Sequence, residues 1–93
     1  MCSDAVYRLA DGVQVRRERF GLLFYDYRGP RLYFVPSGDL MEDRFFDGER
    51  TTRELVESVC GKHDWSRRTT EGRVNQILEL LKKKGLIHEQ PIR

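Results

Sequence analysis

Most of the residues that usually carry chemistry are scarce in this 93-residue sequence. The two cysteines, Cys2 and Cys60, form no Cys-x-x-Cys unit, so neither a disulfide framework nor a zinc or redox site is expected. The two histidines, His63 and His88, have no Cys, Asp or Glu partners at ligand spacing. No apolar run approaches membrane-spanning length, and no basic start followed by an apolar stretch opens the chain. That points to a soluble, cytoplasmic protein of a reducing compartment, with no membrane partner. Charge of one sign is lacking too. The formal net charge is +2, weak for a nucleic-acid binder of this size. Residues 1–50 carry eight Lys/Arg against nine Asp/Glu, and residues 51–93 carry nine against six. The basic excess sits in Arg67, Arg68 and Lys82–Lys84, which can favour an anionic partner without requiring one. There is no Gly-rich phosphate loop and no Ser or Cys nucleophile motif. Asp39, Glu42 and Asp43 occupy a solvated stretch with no apolar pocket to raise a carboxyl pKa. These absences argue against an enzyme, and no catalytic residue, metal ligand or cofactor site is assigned.

The chain does have enough apolar side chain, 39% of residues, for one modest core. A single domain over 1–93 is expected, too small for a deep, walled active site. Val13 and Val15 alternate with polar residues after a turn at Gly12, as in a half-buried strand. Leu22 to Tyr27 and Leu32 to Val35 are apolar and aromatic runs of strand length, joined by Arg28-Gly29-Pro30. The simplest arrangement is a three-stranded antiparallel meander. Alternation then puts Phe24 with Leu22 and Phe34 with Leu32, leaving Tyr25, Tyr27 and Tyr33 for the wet side.

The period changes after Pro36. Ser37 is a candidate cap for a short helix carrying Leu40, Met41 and Phe45. Thr51 to Glu54 fits a capping box, with Leu55, Val56, Val59 and Cys60 on one face and Gly61 as the stop. Thr69 or Thr70 then opens the most periodic helix, with Val74, Ile77, Leu78 and Leu81 at i, i+3, i+4 and i+7. Gly85 ends it, and Leu86-Ile87 returns as a short extended segment. The reading is an α+β domain in which a three-stranded antiparallel sheet is followed by three helices, winged-helix-like in arrangement.

Two features bear on function. Five aromatics crowd the strands between Phe24 and Phe34, on a sheet with an exposed edge. On the last helix, Leu80 lies off the core stripe between Arg73 and Lys84, where it can line a groove for an amphipathic, partly acidic peptide. Together they suit strand addition, in which an extended peptide pairs with a sheet edge and sends alternate side chains into pockets beside a helix. The candidate groove lies between the strand Arg31–Val35 and the helix Thr70–Lys84.

The segment Val15-Arg16-Arg17-Glu18-Arg19-Phe20-Gly21-Leu22-Leu23-Phe24-Tyr25, followed by Arg31-Leu32-Tyr33-Phe34-Val35, resembles the mycofactocin-binding chaperones. These are small members of the PqqD-like group, recognition elements for ribosomally made, modified peptides. The resemblance extends to Asp47-Gly48 before the capped helix and to the Leu-rich last helix ending Lys-Gly-Leu-Ile. It implies three strands followed by three helices, and a precursor's leader bound as an added strand between the third strand and the third helix. It further implies presentation of the precursor to a radical SAM maturase that carries its own iron–sulfur clusters. By position, the peptide-facing residues are Arg31, Leu32, Tyr33, Phe34 and Val35 on the strand, and Arg73, Ile77, Leu80, Leu81 and Lys84 on the helix. Phe20 is expected as a core anchor beside a bend at Gly21. A monomer or weak dimer without nucleic acid fits this picture. The alternative is a DNA-binding winged helix led by Arg67, Arg68 and Arg73, which the acidic Glu71 and Glu79 and the low net charge disfavour.

Overall fold

A computed structural model describes residues 5–29 and 31–90. The chain runs β1 (Val6–Leu9), β2 (Val13–Glu18), β3 (Gly21–Asp26), β4 (Arg31–Val35), a 3₁₀ turn (Asp43–Phe46), α1 (Thr52–His63), α2 (Arg67–Lys83) and β5 (Ile87–Gln90). The α+β class and the meander are as expected. β2, β3 and β4 form one antiparallel sheet in that order, with Val15 opposite Phe24 and Phe24 opposite Tyr33. A second antiparallel sheet, formed by β1 and β5, was not anticipated beyond the extended Leu86-Ile87. It ties the two ends of the described chain together, with Leu9 opposite Ile87.

The third helix is a correction. Where a short helix was expected after Ser37, the chain makes only the 3₁₀ turn, so two α-helices follow the sheet. Glu42 is extended (φ −112°, ψ 153°), and Ser37 caps nothing, its hydroxyl finding no partner among the described residues. The adjacent Phe45 and Phe46 are both buried, Phe45 against Tyr7 and Phe46 edge-on to Phe24. A tight crossing turn can bury both neighbours, whereas one stripe of an amphipathic helix cannot easily do so.

The caps explain where the helices begin and end. Thr51 and Glu54 form the expected reciprocal capping box. α1 then runs through Gly61 to His63 and stops at Asp64 in the left-handed region (φ 56°), a conformation that Asp tolerates. Ser66, rather than Thr69 or Thr70, caps α2, and Thr70 is buried inside it. At the other end Gly85 adopts φ 76°, donating to the Lys82 carbonyl while Leu86 donates to that of Leu81. This Schellman closure turns the chain directly into β5.

One core fills the space between the inner face of the three-stranded sheet, the 3₁₀ turn and the two helices. Leu22, Phe24 and Val35 from the sheet meet Met41, Phe45, Leu55, Val56, Val74, Leu78 and Leu81. Cys60 packs half-buried at its margin, as a small hydrophobe does, and Cys2 lies outside the described residues. Phe20, expected in this core, is 68% exposed with the Arg19 guanidinium 5.5 Å above its ring. The Phe-Gly pair serves the fold through Gly21 instead. A Cβ there would fall 1.9 Å from the Val35 carbonyl oxygen, a backbone atom that the sheet holds in place. Gly21→Ala is therefore expected to destabilise the chain by about 1–3 kcal/mol, read as a lower urea midpoint. An unchanged midpoint would show that β3 and β4 separate at this point at no cost.

Candidate functional site

The three-stranded sheet has two edges. β2 has β1 and the 3₁₀ turn beside it, whereas β4 is, among the described residues, a free edge facing a groove whose opposite wall is α2. The groove runs antiparallel along both elements. One end is a cavity of about 420 Å³ between Arg31–Tyr33 of β4 and Lys83–Lys84 at the end of α2, floored by Phe24 and Leu86. The other end is a cavity of about 380 Å³ between Ser37 and the first turns of α2, lined by Leu40, Trp65, Thr70 and Arg73.

The residues singled out in the sequence fall into four sets. Tyr33 is half-buried on the inner face of β4, with the Lys84 ammonium 4.7 Å above its ring, so a cation–π contact closes one corner of the groove. Arg73, Ile77, Leu80 and Lys84 share one stripe of α2 at i, i+4, i+7 and i+11; Ile77 is half-buried, the other three exposed. Leu32 and Phe34 lie on the outer face of the sheet, 61% and 43% exposed. The register explains this placement, since Leu32 sits opposite Tyr25 and Phe34 opposite Leu23, while Tyr33 pairs with the core residue Phe24. This corrects the expected alternation at Tyr33, placed on the wet side, while Phe34 shares a face with Leu32 as expected. Val35 and Leu81 are buried in the core and support the groove from beneath.

Sequence reasoning missed the residue that organises the groove's first end. Asp26 ends β3 on the inner face with its carboxylate almost fully covered. It accepts from the Arg28 side chain through both oxygens (3.0 and 3.2 Å), from the Arg28 backbone amide (3.0 Å), and from Arg31 (2.9 Å). Arg28 also donates to the Gly85 carbonyl at 2.9 Å. One guanidinium thus ties the β3–β4 turn to the C-terminal end of α2 and sets the width of the groove there. The signal was present as an Asp amid aromatics in a buried strand, two residues before an Arg.

Other polar contacts are peripheral. Arg67 pairs with Glu57 of α1 at 3.4 Å, and Lys82 with Glu89 of β5 at 2.9 Å. His63 stacks on Trp65 with ring centroids 4.4 Å apart. Among the described residues no group of three His, Cys, Asp or Glu is placed to hold a metal ion, and no helix is long and apolar enough to cross a membrane.

The model of the peptide chaperone MftB family matches residues 6–88. The chain belongs to that family. Solved structures share its fold. TbiB1, solved in complex with the TbiA(beta) leader peptide, superposes with a TM-score of 0.71 at 14% identity, covering 87% of this chain and 94% of that one. A lasso peptide synthetase B1 complexed with the leader peptide gives 0.72 at 18% identity, covering 88% and 96%. No curated protein matches significantly in sequence.

The two guanidinium groups on Asp26 hold its carboxyl well below the ordinary value of 3.8, the Arg28 side chain contributing most and Arg31 next. A carboxylate depressed in the folded state stabilises it above the unfolded pKa, and that contribution fades as pH falls toward the folded value. The stability gap between wild type and Asp26→Asn, measured by urea unfolding, should be widest above about pH 5 and shrink steadily as pH falls from there toward the depressed folded pKa. A gap independent of pH would remove Asp26 from this role.

Proposed function

We propose that this peptide chaperone binds the leader of a ribosomally made precursor, the mycofactocin precursor, by adding it as a fourth strand to the free edge of β4. The observation that carries the proposal is that edge facing α2 across an open groove, with Lys84 at one end and Arg73 at the other. Main-chain hydrogen bonds to β4 would supply affinity that depends little on sequence, and side chains pointing toward α2 would supply selectivity. On this reading Tyr33, Ile77, Leu80 and Lys84 contact the inward-pointing side chains of the leader. Leu32 and Phe34 are cross-strand neighbours of its outward-pointing ones. Arg31 and Arg73 stand at the two ends, and Val35 and Leu81 hold the walls in place.

Membership of the peptide chaperone family supports this reading, as do two fold neighbours solved with leader peptides. The chain itself is non-catalytic here. As a single domain in the cytoplasm, monomeric or weakly dimeric, it hands the bound precursor to a radical SAM maturase. Among the described residues no set in the groove pairs a nucleophile with a base, and the strongly perturbed carboxylate of Asp26 is fully engaged by arginines.

Titration calorimetry with the precursor peptide encoded in the neighbouring short reading frame should give a saturable one-to-one isotherm. A micromolar or tighter Kd, roughly −8 kcal/mol or better, is expected. Leu80→Asp should fold normally and weaken binding at least about tenfold, roughly 1.4 kcal/mol. Unchanged binding by that variant would take α2 out of the groove. No binding heat at two temperatures from folded wild type would overturn the proposal as a whole.

A further inference from the structure

The two ends of the groove differ in charge, and the difference assigns the leader a polarity. At the β3–β4 turn, Arg28, Arg31, Lys83 and Lys84 gather around the single carboxylate of Asp26, with Asp11 as a further acid acting on Arg28. Asp26 is saturated by its arginines, and Arg31 spends one terminal nitrogen on it while its side chain stays 67% exposed. Lys83 and Lys84 are exposed, and Lys84 rests on an aromatic face, where an ammonium keeps its hydrogen-bond donors free. Several donors therefore converge on a half-walled cavity of about 420 Å³ with no carboxylate of its own to spare. The opposite end is built differently. Leu40 and Trp65 give it apolar walls, Asp64 and Arg73 balance each other in charge, and the buried Ser37 hydroxyl has no partner among the described residues.

We infer that the Arg31–Lys84 end is a carboxylate subsite for an Asp or Glu side chain of the leader, C-terminal to an apolar side chain seated against Leu40 and Trp65. The inference rests on the strand-addition reading and adds to it a direction and a chemistry. The direction follows from the sheet. Every pair in it is antiparallel, the slightly more stable arrangement, so the N-terminal part of the added strand lies beside Val35 and Ser37 and its C-terminal part beside Arg31. An even number of residues from one side chain to the other keeps both on the face toward α2, whereas an odd one would turn one of them away. The chemistry follows from charge. In a cavity partly shielded from water, a carboxylate meeting ammonium and guanidinium donors forms charge-assisted hydrogen bonds, stronger than neutral ones.

The test uses the labelled precursor peptide from the neighbouring reading frame, with fluorescence anisotropy as the readout. Each Asp and Glu of its leader is replaced in turn by Asn or Gln. One replacement, C-terminal to an apolar residue, should weaken binding about tenfold, and the others should change it less than about twofold. The Lys83→Glu/Lys84→Glu chain should weaken binding of the unaltered peptide to a similar degree, with its fold confirmed by circular dichroism. A peptide carrying Lys at the sensitive position should recover affinity on that chain and lose it on wild type. If every single replacement and the double variant bind within about twofold of wild type, the carboxylate subsite is wrong and strand addition stands. If the unaltered peptide does not bind wild type at all, strand addition fails and the subsite with it.

Discussion

Among the described residues, the backbone N–H and C=O groups on the outer side of β4 have no strand beside them, and such an edge is a template for one more. Proteins usually blunt an exposed edge, and this one stays open because α2 stands across from it at the distance of a groove instead of packing onto it. That distance is fixed from the core side. Leu78, Leu81 and Val74 anchor α2 in the interior, the Schellman closure at Gly85 locks its end into β5, and Arg28 bridges Asp26 to the Gly85 carbonyl. A pre-built groove lowers the ordering cost of binding, so more of the interaction with an extended ligand appears as affinity.

The same register that fills the core empties the outer face. Leu22, Phe24, Tyr33 and Val35 point inward, so Leu23, Tyr25, Leu32 and Phe34 must point outward, where Tyr25 also stacks on Tyr27 at 4.5 Å. Such exposed apolar side chains are unusual on a sheet face that only meets water. On Leu32 and Phe34, next to the free edge, they are the positions an added strand would cover. The exposure of these two residues and the openness of the edge therefore have one cause, namely a sheet one strand short of closing against α2.

The sequence made the strands, the hairpin, the capping box and the last helix legible, because each has a local signal: alternation, a Gly-containing turn, a Thr-x-x-Glu pair, an i, i+3, i+4, i+7 stripe. The groove residues Leu80 and Lys84 were legible for the same reason, since an apolar side chain off the core stripe is visible by counting. What was not legible depends on partners far away in the chain. β1 is identified as a strand only by β5, more than seventy residues on. Which face of β4 turns inward, that of Tyr33 or that of Leu32 and Phe34, is decided by its pairing with β3 and not within the strand. The missing third helix gave way to tertiary packing, because burying both Phe45 and Phe46 suited a turn better. The role of Asp26 was not legible because it depends on Arg31 and the end of α2, which only the fold brings around it.

The central claim is that the ligand pairs with the backbone of β4, and amide hydrogen exchange reads that directly. In the chain alone, the alternate amides of Arg31–Val35 that point away from β3 should exchange freely. With the precursor peptide at 100 times its Kd, the same amides should slow by about 100-fold, while those of Val13–Glu18 on the other edge stay unchanged. Protection confined to β2 or to the first turn of α2, with β4 amides exchanging as before, would contradict the account.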